Sequence, residues 1–183
     1  MLILAVCALA VVSPLAAGRW PARLVLHRWR WPQLIWIALL VQIAIMSLGF
    51  AQGAAPVLHV LTYVAAAVFL WLNRELPGVL IVGAGALSNG ITIALNGGAL
   101  PASADAVAAA GIDHGDEFAN SAIIDDPVLP WLGDVFAWPA PMPLANTFSI
   151  GDVLIVVGVV VAAWSGTRRL GSSPSRAELT QEV

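Results

Sequence analysis

The chain has 183 residues, of which 60% are hydrophobic and only 10% charged, with a mean hydropathy of +0.88 and a net charge of −3. An ordinary soluble domain carries about 25% charged residues, so these charges are too few to coat one. The hydrophobicity excludes intrinsic disorder, and the negative net charge argues against a nucleic-acid partner. The composition points to an integral membrane protein with the lipid bilayer as its first partner.

A spanning helix needs about 20 mostly apolar residues. Five runs are candidates: 1–17, 32–50, 57–72, 78–95 and 150–167. They predict an all-α fold, a polytopic bundle of five transmembrane helices forming one domain over 1–167. The first run has no basic residue ahead of it, which suits an uncleaved first helix better than a cleaved leader. A short tail, 168–183, follows the last run and is read as disordered. The lone Cys7 cannot form an intrachain disulfide.

The charges are sorted along the chain. Arg19, Arg23, Arg28 and Arg30 lie between the first two runs, Arg74 between the third and fourth, and Arg168, Arg169 and Arg176 after the fifth. With five spans these segments share one side, which the positive-inside rule makes cytoplasmic. The expected location is a bacterial cytoplasmic membrane, amino terminus outside and carboxyl terminus inside. Asp105, Asp113, Asp116, Glu117, Asp125, Asp126 and Asp134 all fall in the 96–149 loop, which holds no Arg and is read as extracytoplasmic. Eight tryptophans near run ends or in that loop fit interfacial anchoring.

Between the runs lie short polar motifs. Asn73-Arg74-Glu75-Leu76-Pro77-Gly78 forms the turn between the third and fourth runs, and Asn73, Arg74, Pro77 and Gly78 are read as turn-fixing residues. Asn89 is deep within the fourth run among Gly83, Gly85, Ala86, Ser88 and Gly90, where an amide should face another helix. Asn96-Gly97-Gly98 follows that run as a helix C-cap, and Pro101 prevents the helix from resuming. Ser149-Ile150-Gly151-Asp152 has the form of a capping box at the start of the fifth run. Asp152 is the one acid inside a proposed span, with Asn89, Thr92 and Asn96 as partners if the fourth and fifth helices pack together.

In the loop, Ser103 and Gly111 bracket a short helix. The prolines of 127–144 oppose a sixth span, so this segment is expected to fold over the outer mouth, carrying Asp134, or to lie in the interface. His114, Asp116, Glu117, Asp125 and Asp126 lack any calcium or zinc spacing, and neither metal nor cofactor is expected.

The ordered set Asn73–Gly78, Asn89, Asn96–Pro101, Leu132-Gly133-Asp134 and Phe148–Asp152, with the Arg-rich first loop and Gln42, resembles an uncharacterised family of bacterial membrane proteins, domain of unknown function 5317. Leu100 stands where that family favours Met. The resemblance implies a membrane fold and names sites, but it implies no activity.

The candidate polar site is therefore Asn89, Asn96, Gly97, Gly98, Asp134 and Asp152, with Pro101, Ser149 and Gly151 as structural residues beside the turn. No catalytic residue is assigned. The first functional reading is a non-enzymatic membrane component: a scaffold, accessory subunit or envelope-associated binder, working as a homo-oligomer or with a membrane partner. A small-solute or ion permeation protein is the alternative, and requires Asn89, Asn96, Asp134 and Asp152 to meet on one path. An intramembrane hydrolase would need Ser88 and His59 within hydrogen-bond reach.

Overall fold

The computed structural model describes residues 2–48, 54–112 and 121–171. Asp113, His114, Asp116 and Glu117 of the acidic loop, and Arg176 in the tail, lie outside the described residues. Seven helices and six short strands follow in order: α1 Leu2–Ala16, β1 Arg19–Trp20, α2 Ala22–Val25, α3 Gln33–Leu48, α4 Ala54–Leu72, α5 Val79–Leu95, β2 Leu100–Pro101, α6 Ala104–Ala110, β3 Ser121–Ala122, β4 Phe136–Trp138, β5 Asn146–Phe148, α7 Ile150–Trp164 and β6 Arg168–Arg169.

Each of the five apolar runs contains a long helix, but the polytopic transmembrane fold is overturned. Among the described residues no helix is long and apolar enough to cross a membrane. Runs 78–95 and 150–167 overstate the helices inside them, whereas α4 begins ahead of its run, at Ala54. Helices α1, α3, α5 and α7 have 15, 16, 17 and 15 residues. At 1.5 Å per residue these span roughly 23–26 Å, against a hydrocarbon core of about 30 Å. The longest, α4, has 19 residues and carries His59, Thr62 and Tyr63 within its first ten. The inner-membrane location, the inside–outside orientation and the transmembrane character all rested on five spans, and they fall with them. The all-α expectation is corrected too, since three two-stranded ladders are present.

The bundle is also corrected. The principal helix contacts run α1–α7–α5–α4–α3, so the five long helices form a row with α1 and α3 at its edges. A helix in a row buries only the flanks that meet its neighbours. Large apolar side chains consequently stay uncovered, among them Leu4 at 70% exposure on α1 and Trp36 at 64% on α3. The small apolar core of Leu76, Val79 and Ala162, with Leu24 and Leu70 against it, sits where the α4–α5 turn meets α7.

Two local devices fix the row. Pro14 lies in the last turn of α1 and has no N–H for the Ala10 carbonyl four residues back. The Ser13 hydroxyl donates to that carbonyl instead, at 2.8 Å, and accepts from Trp164 Nε1 at 2.8 Å, tying α1 to α7. At the same end β1 pairs antiparallel with β6, Arg19 opposite Arg169 and Trp20 opposite Arg168. This pairing joins the chain just after α1 to the chain just after α7.

The sorting of charge survives as a feature of the fold. The Arg19 guanidinium donates to Thr167 Oγ1 at 2.7 Å, Arg23 reaches the Glu75 carbonyl at 3.4 Å, and the Arg30 backbone is held by Asn73. The Arg-bearing segments thus share one end of the row.

The 96–149 loop is built at the other end. Helix α6 has Ser103 at its N-cap and Gly111, with φ 63°, at its C-cap. The β4–β5 hairpin packs on α6, with Phe136 opposite Phe148 and their rings stacked at 5.4 Å. The Pro-rich segment supplies a short 3-10 turn, Pro130–Leu132, and β4 rather than a sixth long helix.

Candidate functional site

The α5–α7 contact is made by glycine. A Cβ on Gly85 would lie 2.3 Å from the Gly151 carbonyl oxygen, and one on Gly78 would lie 2.1 Å from that of Gly158. These positions are seven residues apart on each helix, two turns on the same face, and the pairing is antiparallel. Each helix meets the other at backbone distance, as small residues permit. Short side chains opposite one another can then bond across the gap.

Asn89 occupies that gap. Its Nδ2 donates to Asp152 Oδ1 at 3.0 Å, and its Oδ1 accepts from the Ser149 hydroxyl at 2.9 Å. The capping box at the start of α7 is complete: the Asp152 N–H donates to Ser149 Oγ at 3.0 Å and the Ser149 N–H to Asp152 Oδ2 at 2.9 Å. Asn89 is 3% exposed and Ser149 fully buried. Ser149 therefore serves two purposes: its oxygen caps α7 and its proton fixes the orientation of the Asn89 amide. Both Asp152 oxygens accept a hydrogen bond within this cluster, which offsets the cost of placing a carboxylate there.

A second polar group faces the row from α4. Gln42 Nε2 on α3 donates to His59 Nδ1 at 2.7 Å, and the Thr62 hydroxyl donates to the His59 carbonyl at 2.6 Å. His59 is fully buried, and burial lowers its pKa from 6.5. Its ring meets Tyr63 edge-on at 5.4 Å. Burial, and then the charges of Asp152 and Asp134, push the Tyr63 phenol up to about 12. Both carboxylates therefore act on the same phenol.

Asp134 is buried within the loop. Its Oδ2 accepts from Thr147 at 3.3 Å, its N–H donates to the Pro101 carbonyl at 2.8 Å, and its carbonyl accepts from Ser103 N–H at 3.0 Å. Pro101 is thus a strand acceptor as well as a helix stop. Asn96 faces elsewhere. Its Nδ2 donates to the Val128 carbonyl at 2.9 Å and its Oδ1 accepts the Val128 N–H at 2.8 Å. Gly97 and Gly98 take φ 72° and 99°, and the Gly98 N–H returns to the Ile93 carbonyl at 2.9 Å, closing the end of α5.

The structure therefore joins Asn89 with Ser149, Gly151 and Asp152, and sends Asn96 and Asp134 to separate anchoring roles. The Ser88 hydroxyl has no hydrogen-bond partner among the described residues, so no Ser88–His59 dyad is formed. Those residues also hold no group of three side chains suited to a metal ion.

The sequence placed Asn73 in the turn after α4 but not its partners on the first Arg-rich segment. This residue, 1% exposed, does at the end of α4 what Asn96 does at the end of α5. Its Oδ1 accepts the Arg30 N–H at 2.9 Å, and its Nδ2 donates to the Arg30 carbonyl at 3.0 Å and the Phe69 carbonyl at 2.8 Å. Asn96 Nδ2 likewise donates to the carbonyl four residues back, Thr92, at 2.7 Å. The signal was present: Leu72-Asn73-Arg74-Glu75-Leu76-Pro77 and Leu95-Asn96-Gly97-Gly98-Ala99-Leu100-Pro101 are variants of one pattern. Arg74 lies outside the clasp, with its guanidinium 4.5 Å from the Trp71 ring and a bond to the Trp71 carbonyl.

These features define a helical-row protein whose central polar cluster is closed by its own hydrogen bonds. The chain belongs to a family of unknown function, DUF5317, whose model matches residues 27–164. It is also similar to an uncharacterized protein of Thermotoga maritima, 30% identical over 95 residues. That match covers 51% of this chain and 54% of the relative, so the chain spans about half the length of the curated relative it matches. No solved structure matches.

Proposed function

We propose that the chain is a non-enzymatic assembly component, a scaffold or accessory subunit that acts by packing its edge helices against a second copy of itself. The observation that carries this reading is the open row. Helix α3 has α4 as its one principal helical neighbour, and Trp36, Ile37, Leu40 and Ile43 are all more than half exposed. An apolar face of that size marks an association surface. The closed Asn89–Ser149–Asp152 cluster favours a structural role over turnover, because its polar groups are already bonded to one another.

The test is the mass of the purified chain by light scattering, with Trp36→Glu/Leu40→Glu as the comparison. A self-association interface should cover about 800 Å² per partner. A wild-type oligomer that the double variant converts to a folded monomer, with helical content unchanged, supports the proposal. A wild-type monomer at every concentration overturns it.

A further inference from the structure

Between α2 and the segment after α7 lies a cavity of about 560 Å³, lined by Ala22, Arg23, Leu26, His27, Arg28, Gly166, Thr167 and Arg168. Three of these residues are arginines and none is acidic. Among the described residues, the guanidinium groups of Arg28 and Arg168 are committed to no other side chain or carbonyl. Arg23 spends one Nη2 contact on the Glu75 carbonyl at 3.4 Å.

The frame around these groups is fixed. Arg19 Nε and Nη2 hold the Thr167 side chain and carbonyl at 2.7 and 3.1 Å. The Arg23 N–H bonds the Gly166 carbonyl at 3.3 Å, and the His27 ring lies 3.3 Å from Asn73 Oδ1. A Cβ on Gly166 would sit 2.7 Å from Arg23 Cβ, so α2 and this segment are in close contact. The cavity is thus bounded by elements tied to α1, α4 and α7.

We propose that this cavity binds the phosphate group of a phosphorylated small molecule. Planar guanidinium groups match phosphate oxygens two at a time, and the Thr167 hydroxyl is a further donor. The cavity falls within the range of pockets that hold small organic ligands, about 300–1,000 Å³, which leaves room for a body attached to the phosphate. Leu26 and Ala22 give that body an apolar wall. The same chemistry is offered by a soluble phosphate monoester and by the phosphate of a phospholipid.

Calorimetry with two probes separates these sources: glycerol 3-phosphate, and a short-chain phosphatidate that adds two acyl chains to the same head. Saturable binding of either supports the site. Equal affinities identify the soluble phosphate as sufficient, and tighter binding of the phosphatidate identifies a lipid source. Arg28→Gln and Arg168→Gln should each weaken binding about tenfold, the loss of one charge-assisted contact. Arg74→Gln, at the same end but outside the cavity, should leave the affinity within about twofold. Absence of binding by both probes overturns the proposal. So does equal weakening by Arg74→Gln, which would mean a diffuse basic surface.

Discussion

Gly151→Ala is the perturbation on which the α5–α7 contact makes its sharpest statement. Alanine is the better helix former by about 1 kcal/mol, so propensity alone forecasts stabilisation. The added methyl, however, would lie 2.0 Å from Asn89 Oδ1 and 2.7 Å from the Gly85 carbonyl oxygen. One of these neighbours must move, and one is backbone. Overpacking of this kind costs about 1–3 kcal/mol, and displacing the Asn89 amide leaves buried partners unbonded at about 1–3 kcal/mol more. Set against the propensity gain, the net destabilisation is about 3 kcal/mol, which lowers Tm by roughly 10 °C for a chain of this length. Gly83→Ala is the matched control, because a Cβ there meets nothing within 4 Å. It should gain about 0.5–1 kcal/mol. Thermal unfolding followed by far-UV circular dichroism measures both. If both variants move up together, the close approach of α5 and α7 is refuted.

The two asparagine clasps make further predictions. Asn73→Ala removes bonds to the Arg30 N–H, the Arg30 carbonyl and the Phe69 carbonyl at a buried position, and should cost about 2–4 kcal/mol. Hydrogen exchange at the Arg30 amide should accelerate, while the Val128 amide is unchanged. Asn96→Ala should do the reverse, exposing the Val128 amide at a cost of about 1 kcal/mol. The cost is smaller because Val128 is 46% exposed and water can replace the lost amide. Equal acceleration at both amides in either variant would contradict the assignment of one clasp to one strand of chain.

Much of this arrangement was legible in the residues. Uninterrupted apolar runs located the five long helices, and Ser149 and Asp152 stand in the order a capping box requires. Small residues around Asn89 said that another helix comes close, and the structure identifies it as α7. What the sequence could not fix was where each helix begins and ends: α7 stops at Trp164, short of its run, and α4 begins at Ala54, ahead of its own. Hydrophobicity over a run does not mark the turn residues at a helix end, such as Ser165, Gly166 and Thr167 after α7, and the membrane reading depended on helix length. Asn96 and Asp134 were grouped with Asn89 because all are polar residues near one end. Their separation depends on where the 96–149 loop folds back, with Val128 meeting Asn96 and Thr147 meeting Asp134. Such contacts join residues far apart in the chain, and periodicity carries no record of them. The likeness of Asn73 to Asn96 was readable, but only from comparing the two Leu-Asn…Leu-Pro segments with each other.

The central claim is that Asn89 and Asp152 form one bonded unit between α5 and α7. A double-mutant cycle with Asn89→Ala and Asp152→Ala, read by denaturant unfolding, tests it most directly. The account predicts a coupling energy of about 1–2 kcal/mol, since residues sharing a hydrogen-bond network are not additive. Additivity to within about 0.5 kcal/mol, the behaviour of independent sites, would contradict it.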